Sequence, residues 1–129
     1  MSHFSTVKTE LRDREALLAA LGDLGHAPRE GALSVRGYRG QTQQADLAID
    51  QANGADIGFR LNADTGCYEL VTDLELWKQP MPVERFLAQL NQRYALRSIL
   101  AATAEEGFQV SEQTQALDGS IELVVTRWA

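Results

Sequence analysis

The chain has few of the residues from which proteins build disulfides and metal centres. It contains one cysteine, Cys67, and two histidines, His3 and His26, among 129 residues. A single cysteine cannot form an internal disulfide or a zinc site made of several thiolates. The histidines are far apart in sequence and belong to no His-x-x-x-His or His-Glu-x-x-His pattern. We therefore expect no metal site, and since the Gly and Lys-Ser/Thr spacings of Walker and dinucleotide motifs are also absent, we expect no other cofactor.

Long hydrophobic runs are also missing. No stretch approaches the roughly 18 consecutive apolar residues that cross a bilayer as a helix. The first five residues, Met-Ser-His-Phe-Ser, do not resemble the apolar segment of a signal peptide. We expect no membrane span, and the cytoplasm or an equivalent soluble compartment is the predicted location.

Positive charge is scarce as well. Twelve Lys and Arg residues stand against eighteen Asp and Glu residues, for a formal net charge of -6. Sequence-independent nucleic-acid binding needs a strong positive field, so bulk binding of this kind is not expected. The remaining composition, 44% hydrophobic and 23% charged, is that of an ordinary globular protein. The length predicts one domain over residues 1–129.

Hydrophobic periodicity predicts two helices and seven strands. Asp13 is a good N-cap for a helix over about 13 to 24, and Pro80 and Pro82 precede a long helical segment that Gly107 closes. That segment has two apolar stripes, which indicate either a bend near residues 93–95 or a second face with its own partner. The predicted strands include 4–11, 33–38, one around Leu47, 57–62 and 67–76, followed by a final hairpin with an Asp118-Gly119 turn.

Side-chain alternation tests the central hairpins. A four-residue turn at 63–66 pairs Leu61 with Tyr68 on one face and Arg60 with Glu69 on the other. An odd-length loop with a left-handed glycine is needed before it, because Leu47 must face the core. The predicted fold is α+β: a mainly antiparallel sheet of about seven strands, in the order β-α-β-β-β-β-α-β-β, with the helices packed on one face.

Several segments in one order resemble the hypothetical chloroplast reading frame thirty-five family of cyanobacteria and plastids. The resemblance covers nearly the whole chain, and includes RGYRGQ at 36–41, QANG at 51–54, DIGF at 56–59, VERF at 83–86 and GFQV at 107–110. It also includes the N-terminal MSHFS, Trp77 with Pro80, QRY at 92–94 and the final Arg127-Trp128. The resemblance implies a cyanobacterial or plastid-type source. It carries no catalytic residues, and it suggests a ferredoxin-like or ATPase protein as partner.

The RGYRGQ segment holds the main candidate site residues, Arg36, Tyr38, Arg39 and Gln41. Two arginines, an aromatic ring and glycines could clamp a phosphate or stack on a base. The alternative is a flexible turn whose arginines pair with the surplus carboxylates.

Two tryptophans, Trp77 and Trp128, lie at predicted strand ends beside charged neighbours. They are either lids on the core or binding anchors, since Trp and Arg are enriched at binding hot spots.

Carboxylates alternate along the strand that carries Glu69, Asp73 and Glu75. This pattern is typical of the wet face of an antiparallel sheet, although oxygen clusters can also hold a cation or a basic partner. Cys67 is predicted on the outer face, partly exposed near a turn. Whether it or the carboxylates have a role stays open.

No set of nucleophile, base and orienting residue can be assembled, so an enzyme is not favoured. The leading hypothesis is a small non-enzymatic binding or adaptor protein acting in a larger complex. The first alternative is a ligand-binding or enzyme subunit that recognises a phosphate-bearing small molecule through Arg36 and Arg39. An RNA-binding module is the third.

Overall fold

The computed structural model describes residues 4–115 and 121–127, with the side chains of 108–115, 122 and 125–127 excepted. The elements are the strands β1 (Phe4–Lys8), β2 (Arg29–Arg36), β3 (Thr42–Asp50), β4 (Asp56–Asn62), β5 (Cys67–Asp73), β6 (Phe108–Gln115) and β7 (Ile121–Arg127), and the helices α1 (Arg14–Asp23) and α2 (Val83–Glu105). The predicted α+β class and element order are confirmed.

The strands form two sheets instead of the predicted one. β1 to β5 make an antiparallel sheet in the order β1-β5-β4-β3-β2, and β6 pairs with β7 in a separate hairpin. The main sheet therefore has five strands, and the prediction of about seven in one sheet was wrong. Strand count can be read from the sequence, whereas the division into sheets depends on contacts distant in the chain.

The central hairpins have the predicted registers. Leu61 lies opposite Tyr68, and Arg60 lies opposite Glu69 with their charged groups 3.6 Å apart. Leu47 lies opposite Phe59, across a five-residue loop between Asp50 and Asp56. Parity succeeds here because a one-residue slip would turn every apolar side chain away from the core.

Both helices pack on one face of the sheet, as predicted. Asp13 caps α1 by accepting from the Glu15 amide, and the helix buries Leu17 and Leu21 completely. α2 contributes Phe86 and Leu90 to the same core. The core thus lies between the helices and the sheet face that carries Leu47, Ile49, Ile57, Phe59 and Leu70.

α2 runs without interruption from Val83 to Glu105, and its second apolar stripe has a separate partner. Leu96 and Ile99 line a small apolar groove together with Ile121 and Leu123 of β7. The second of the two predicted explanations is therefore the one observed.

Within the described ranges, no helix combines the length and apolarity that a membrane crossing requires.

Two predicted strands end earlier than expected. β1 stops at Lys8 because the Thr9 hydroxyl donates to the Tyr68 carbonyl and accepts from the Leu11 amide, which redirects the chain. β5 stops at Asp73, whose carboxylate accepts from the Glu75 amide and starts a 3-10 turn over Leu74–Leu76. Polar side chains that bond to nearby backbone compete in this way with strand pairing.

The final hairpin is antiparallel, with Val110 opposite Val125 and a register shift between Val110 and Glu112. The predicted Asp118-Gly119 turn lies outside the described residues.

The hairpin of β2 and β3 folds across the second face of the sheet; we call residues 29–50 the folded hairpin. A register shift interrupts the β2–β3 pairing between Glu30 and Leu33. Beyond it, Val35 is fully buried against Gly58 of β4, although β3 separates β2 from β4 in the sheet order. The sheet is therefore covered on both faces.

Gly58 provides the notch that Val35 fills. A Cβ atom at Gly58 would lie 2.4 Å from Val35 Cγ2 and 3.0 Å from the Ala45 Cβ, closer than packed carbon atoms approach. The absence of a side chain at this position is thus what lets the folded hairpin reach the sheet.

We predict that Gly58→Ala lowers the free energy of unfolding by about 1–3 kcal/mol, the usual effect of overpacking a core. Gly22→Ala is the matched control, because Gly22 lies in α1 with open space around it and alanine favours a helix. Urea denaturation of both variants measures the difference. Equal stability of the two variants would contradict the claim that Gly58 must lack a side chain for Val35 to pack there.

Candidate binding surface at the tip of the folded hairpin

Residues Gly37–Gln41 form the turn between β2 and β3, which we call the tip. Its ends are joined by two backbone hydrogen bonds: the Gly37 N–H donates to the Gln41 carbonyl at 2.8 Å, and the Gln41 N–H donates to the Tyr38 carbonyl at 3.1 Å. Tyr38–Gly40 takes a single 3-10 turn. Four of the six predicted site residues are therefore at or beside one short, hydrogen-bonded turn.

Arg39 occupies a strained backbone position at the tip. Its φ of 52° and ψ of 41° lie in the left-handed region. Among the residues that the structure describes, Arg39 is the only one other than glycine with a positive φ. Its guanidinium lies over the ring of Tyr38, 5.1 Å from the ring centroid, which is within cation–π range. Arg39 is exposed and Tyr38 is half-buried. The tip thus presents a stacked arginine and tyrosine to the surroundings.

Phe4 anchors the tip from the far edge of the sheet. Its ring packs against Gly37 so closely that a Cβ atom there would lie 2.7 Å from Phe4 Cζ. Because β1 and β2 are the two edge strands of the sheet, the folded hairpin spans the whole second face. The tip is therefore held at its Gly37 end by a strand from the other edge of the sheet.

Arg36 holds the base of the tip through a buried carboxylate. Its Nε and Nη2 donate to the two oxygens of Asp56 at 2.9 and 2.8 Å, and its backbone N–H donates to the same group at 2.8 Å. The Asp56 side chain is fully buried, whereas half of the Arg36 side chain is exposed. A second carboxylate, Asp50, lies 3.8 Å from Arg36 Nη2. The Arg36 guanidinium is thus largely engaged by carboxylates of the protein itself.

These contacts set the charge of Asp56. Burial by itself would raise the pKa of this carboxyl, but the side-chain and backbone hydrogen bonds from Arg36 and its positive charge outweigh burial. The pKa of Asp56 therefore lies below its ordinary value. The interaction also raises the pKa of Arg36.

Charge is unevenly distributed around the tip. Residues 31–45 include Arg36 and Arg39 and contain no Asp or Glu, although the whole chain has a net charge of -6. The exposed side chains on the β3 side of the turn are uncharged: Gln41, Thr42, Gln43 and Gln44. Residues 31–45 are therefore a segment without acidic side chains in a chain whose net charge is negative. The sequence contains this feature, but the search for binding motifs did not use it.

Trp77 does not join this site. Trp77 packs edge-to-face on Phe86 at 5.3 Å, and its Nε1 donates to the Met81 carbonyl at 2.7 Å, on the helix-covered face of the sheet. The QANG turn at 51–54 holds the segment that follows Trp77, because the Gln51 Oε1 accepts a hydrogen bond from the Lys78 amide at 2.7 Å. Trp128 lies outside the described residues.

The face that alternation predicts to be wet is exposed only in part: Glu75 is exposed and Glu69 is partly exposed, but Asp73 of β5 and Asp56 of β4 are buried. Asp73 is 1% exposed and Asp56 is 0% exposed, because the folded hairpin covers this face. Cys67 is also buried, contrary to the expected partial exposure. Of the described His, Cys, Asp and Glu residues, no three come together as a possible metal site. Motif reasoning missed Phe4 and Asp56, since their roles depend on the folding of the hairpin.

The fold and the tip define a small α+β protein that presents a stacked arginine–tyrosine turn from a hairpin folded over its own sheet. The chain belongs to the family described as "Protein of unknown function (DUF1257)", whose model matches residues 20–124. It is similar over 128 residues, 99% of this chain and 98% of each relative, to three proteins called "Uncharacterized protein ycf35". Identity is 42% for the protein of Cyanophora paradoxa, 39% for that of Pyropia yezoensis and 42% for that of Guillardia theta. No solved structure matches the chain.

We predict that Arg36→Gln lowers the free energy of unfolding more than Arg29→Gln. The first change leaves the buried Asp56 carboxylate without its cation, whereas Arg29 pairs with Asp50 between two side chains that are about half exposed. Chemical denaturation at neutral pH compares the variants. Equal losses would show that Arg36 does not hold the folded hairpin down.

The lowered pKa of Asp56 predicts a loss of stability in acid. A carboxyl whose pKa is lower in the folded state stabilises the fold above its unfolded pKa, about 3.9, and this stability disappears as the pH falls through the folded value. Asp56→Asn should therefore show a shallower fall of unfolding free energy between about pH 4 and 2 than the unmodified chain. Identical slopes would refute the prediction.

Proposed function

We propose that the protein is a non-enzymatic binding or adaptor protein that attaches to another protein of a larger complex through the tip. The observation that supports this is the backbone of Arg39. A non-glycine residue in the left-handed region costs about 1–3 kcal/mol and persists where the surroundings impose it, often at binding sites. At the tip the strain orients an arginine and a tyrosine outward.

The chemistry of the tip suits protein recognition. Arginine and tyrosine are enriched among the residues that contribute most to protein interfaces. Stacking on Tyr38 also restricts Arg39 before a partner arrives, which reduces the side-chain entropy lost on binding. The backbone bonds within the tip and the contact between Gly37 and Phe4 restrict the turn in the same way.

A phosphate clamp made of Arg36 and Arg39 is less well supported. Two of the donor nitrogens of Arg36 already bond to Asp56, so a phosphate would have to compete with a buried carboxylate. An RNA-binding role has only the Arg39–Tyr38 pair in its favour, on a chain with net charge -6. Gln41, exposed beside Arg39, fits the protein-binding proposal as a hydrogen-bonding neighbour.

The proposed setting is the cytoplasm of a cyanobacterium or the equivalent plastid compartment, which the family resemblance implies. A ferredoxin-like protein or an ATPase is the first partner to test on the same ground. Trp77 is a weaker candidate for direct contact with a partner because its ring covers the core. Trp128 is still proposed as a binding residue, on the ground of the sequence alone.

Two substitutions of Arg39 separate binding from stability. Arg39→Gly removes both the side chain and the strain, so we expect the free energy of unfolding to rise by about 1 kcal/mol while partner binding is lost. Arg39→Ala keeps the strained backbone and removes the side chain beyond Cβ, so binding should be lost without the gain in stability. Arg85→Ala, an exposed arginine of α2, is the matched control.

The measurement is quantitative affinity purification from cyanobacterial lysate, combined with urea denaturation of the same variants. The proposal requires a partner that the unmodified chain and Arg85→Ala retain and that both Arg39 variants lose. Retention of the same proteins by all four chains would refute the role of the tip. A partner released by ribonuclease treatment would favour the RNA-binding alternative.

A further inference from the structure

A cleft on the helix-covered side of the molecule is separate from the tip. It lies between the extended segment that follows β1 and one side of α2, and its volume is about 710 Å³. Sites for small molecules usually enclose about 300–1,000 Å³. The residues that line it are Lys8, Thr9, Glu10, Leu11, Asn91 and Tyr94.

The floor of the cleft is fixed by hydrogen bonds. The Thr9 hydroxyl donates to the Tyr68 carbonyl at 2.5 Å, and the Leu11 carbonyl accepts from the Tyr68 amide at 2.7 Å. Leu11 itself is 2% exposed and belongs to the core. The cleft therefore exists before any ligand binds, which reduces the cost of ordering it.

The Tyr94 hydroxyl has a proton to donate. Its oxygen accepts from the backbone amides of Arg12 at 3.1 Å and Asp13 at 2.9 Å. A phenol oxygen that accepts two hydrogen bonds has only its own O–H left to offer. Among the side chains and backbone groups that the structure describes, that proton has no acceptor, so the O–H is not engaged there.

Lys8 and Asn91 add further donors to the cleft. The arginines at 14, 29, 36, 60, 93 and 97 each have a carboxylate within 4.0 Å, whereas Lys8 has none in the part of the chain that the structure describes. Lys8 and Asn91 are both exposed. An ammonium, a carboxamide and a phenol O–H on one cleft are suited to anionic oxygens.

Glu10 limits which anions fit. Glu10 lines the same cleft, and a carboxylate there repels a ligand that is anionic throughout but accepts hydrogen bonds from hydroxyl groups. We infer that the cleft binds a small organic anion that also carries hydroxyl groups, either a hydroxycarboxylate or a sugar phosphate. The inference is independent of the proposed function, since it uses no residue of the tip.

The test is a titration of the full-length chain followed by the NMR shifts of its backbone amides. The probes are citrate, glucose 6-phosphate and, as the uncharged comparison, glucose. We expect citrate or glucose 6-phosphate to shift the amides of residues 8–13 and 91–94 saturably, with the Gly40 amide as the remote reference. The probe that binds distinguishes a carboxylate ligand from a phosphate ligand.

The chain has only two lysines, which supplies a matched pair of variants. Lys8→Gln should weaken binding roughly tenfold, the effect of losing one charge-assisted hydrogen bond. Lys78→Gln changes the net charge equally and should leave the affinity unchanged. The inference is overturned if neither anion shifts the cleft amides, if glucose shifts them as strongly, or if the two variants bind alike.

Discussion

The contact of Val35 with Gly58 is the constraint on which the second face of this protein depends. A sheet with helices on one face leaves its other face open, and here that face is closed by the sheet's own edge hairpin. The closure needs a position without a side chain at the centre of β4, and a valine of matching shape on β2. The ion pair of Arg36 with Asp56 then secures the hairpin beyond that contact.

The position of the tip follows from the same arrangement. Because the folded hairpin crosses the sheet, its turn is carried to β1 and rests on Phe4 instead of extending freely into solvent. A turn supported in this way can retain the strained backbone of Arg39, which an isolated hairpin loop would relax. The packing of one face thus determines the rigidity of the surface that we propose for binding.

Local features were predictable because neighbouring residues determine them. The cap at Asp13, the registers around Arg60 and Leu47 and the two-sided nature of α2 all follow from periodicity and turn length. The burial of Asp56 and Asp73 was not predictable. Alternating carboxylates indicate solvent unless a distant segment covers them, and residues 31–45 give no local sign that they fold back.

For the candidate site, the sequence by itself determined which residues lie together at the tip, since they are consecutive in a turn. It also determined the lack of acidic residues around them and the α+β class. Only the tertiary structure decided that Arg36 is engaged by Asp56 while Arg39 is exposed and lies over the ring of Tyr38, and that Trp77 belongs to the core. The reason is physical. Ion pairing and burial depend on which side chains from distant parts of the chain come into contact, and composition and spacing do not specify those contacts.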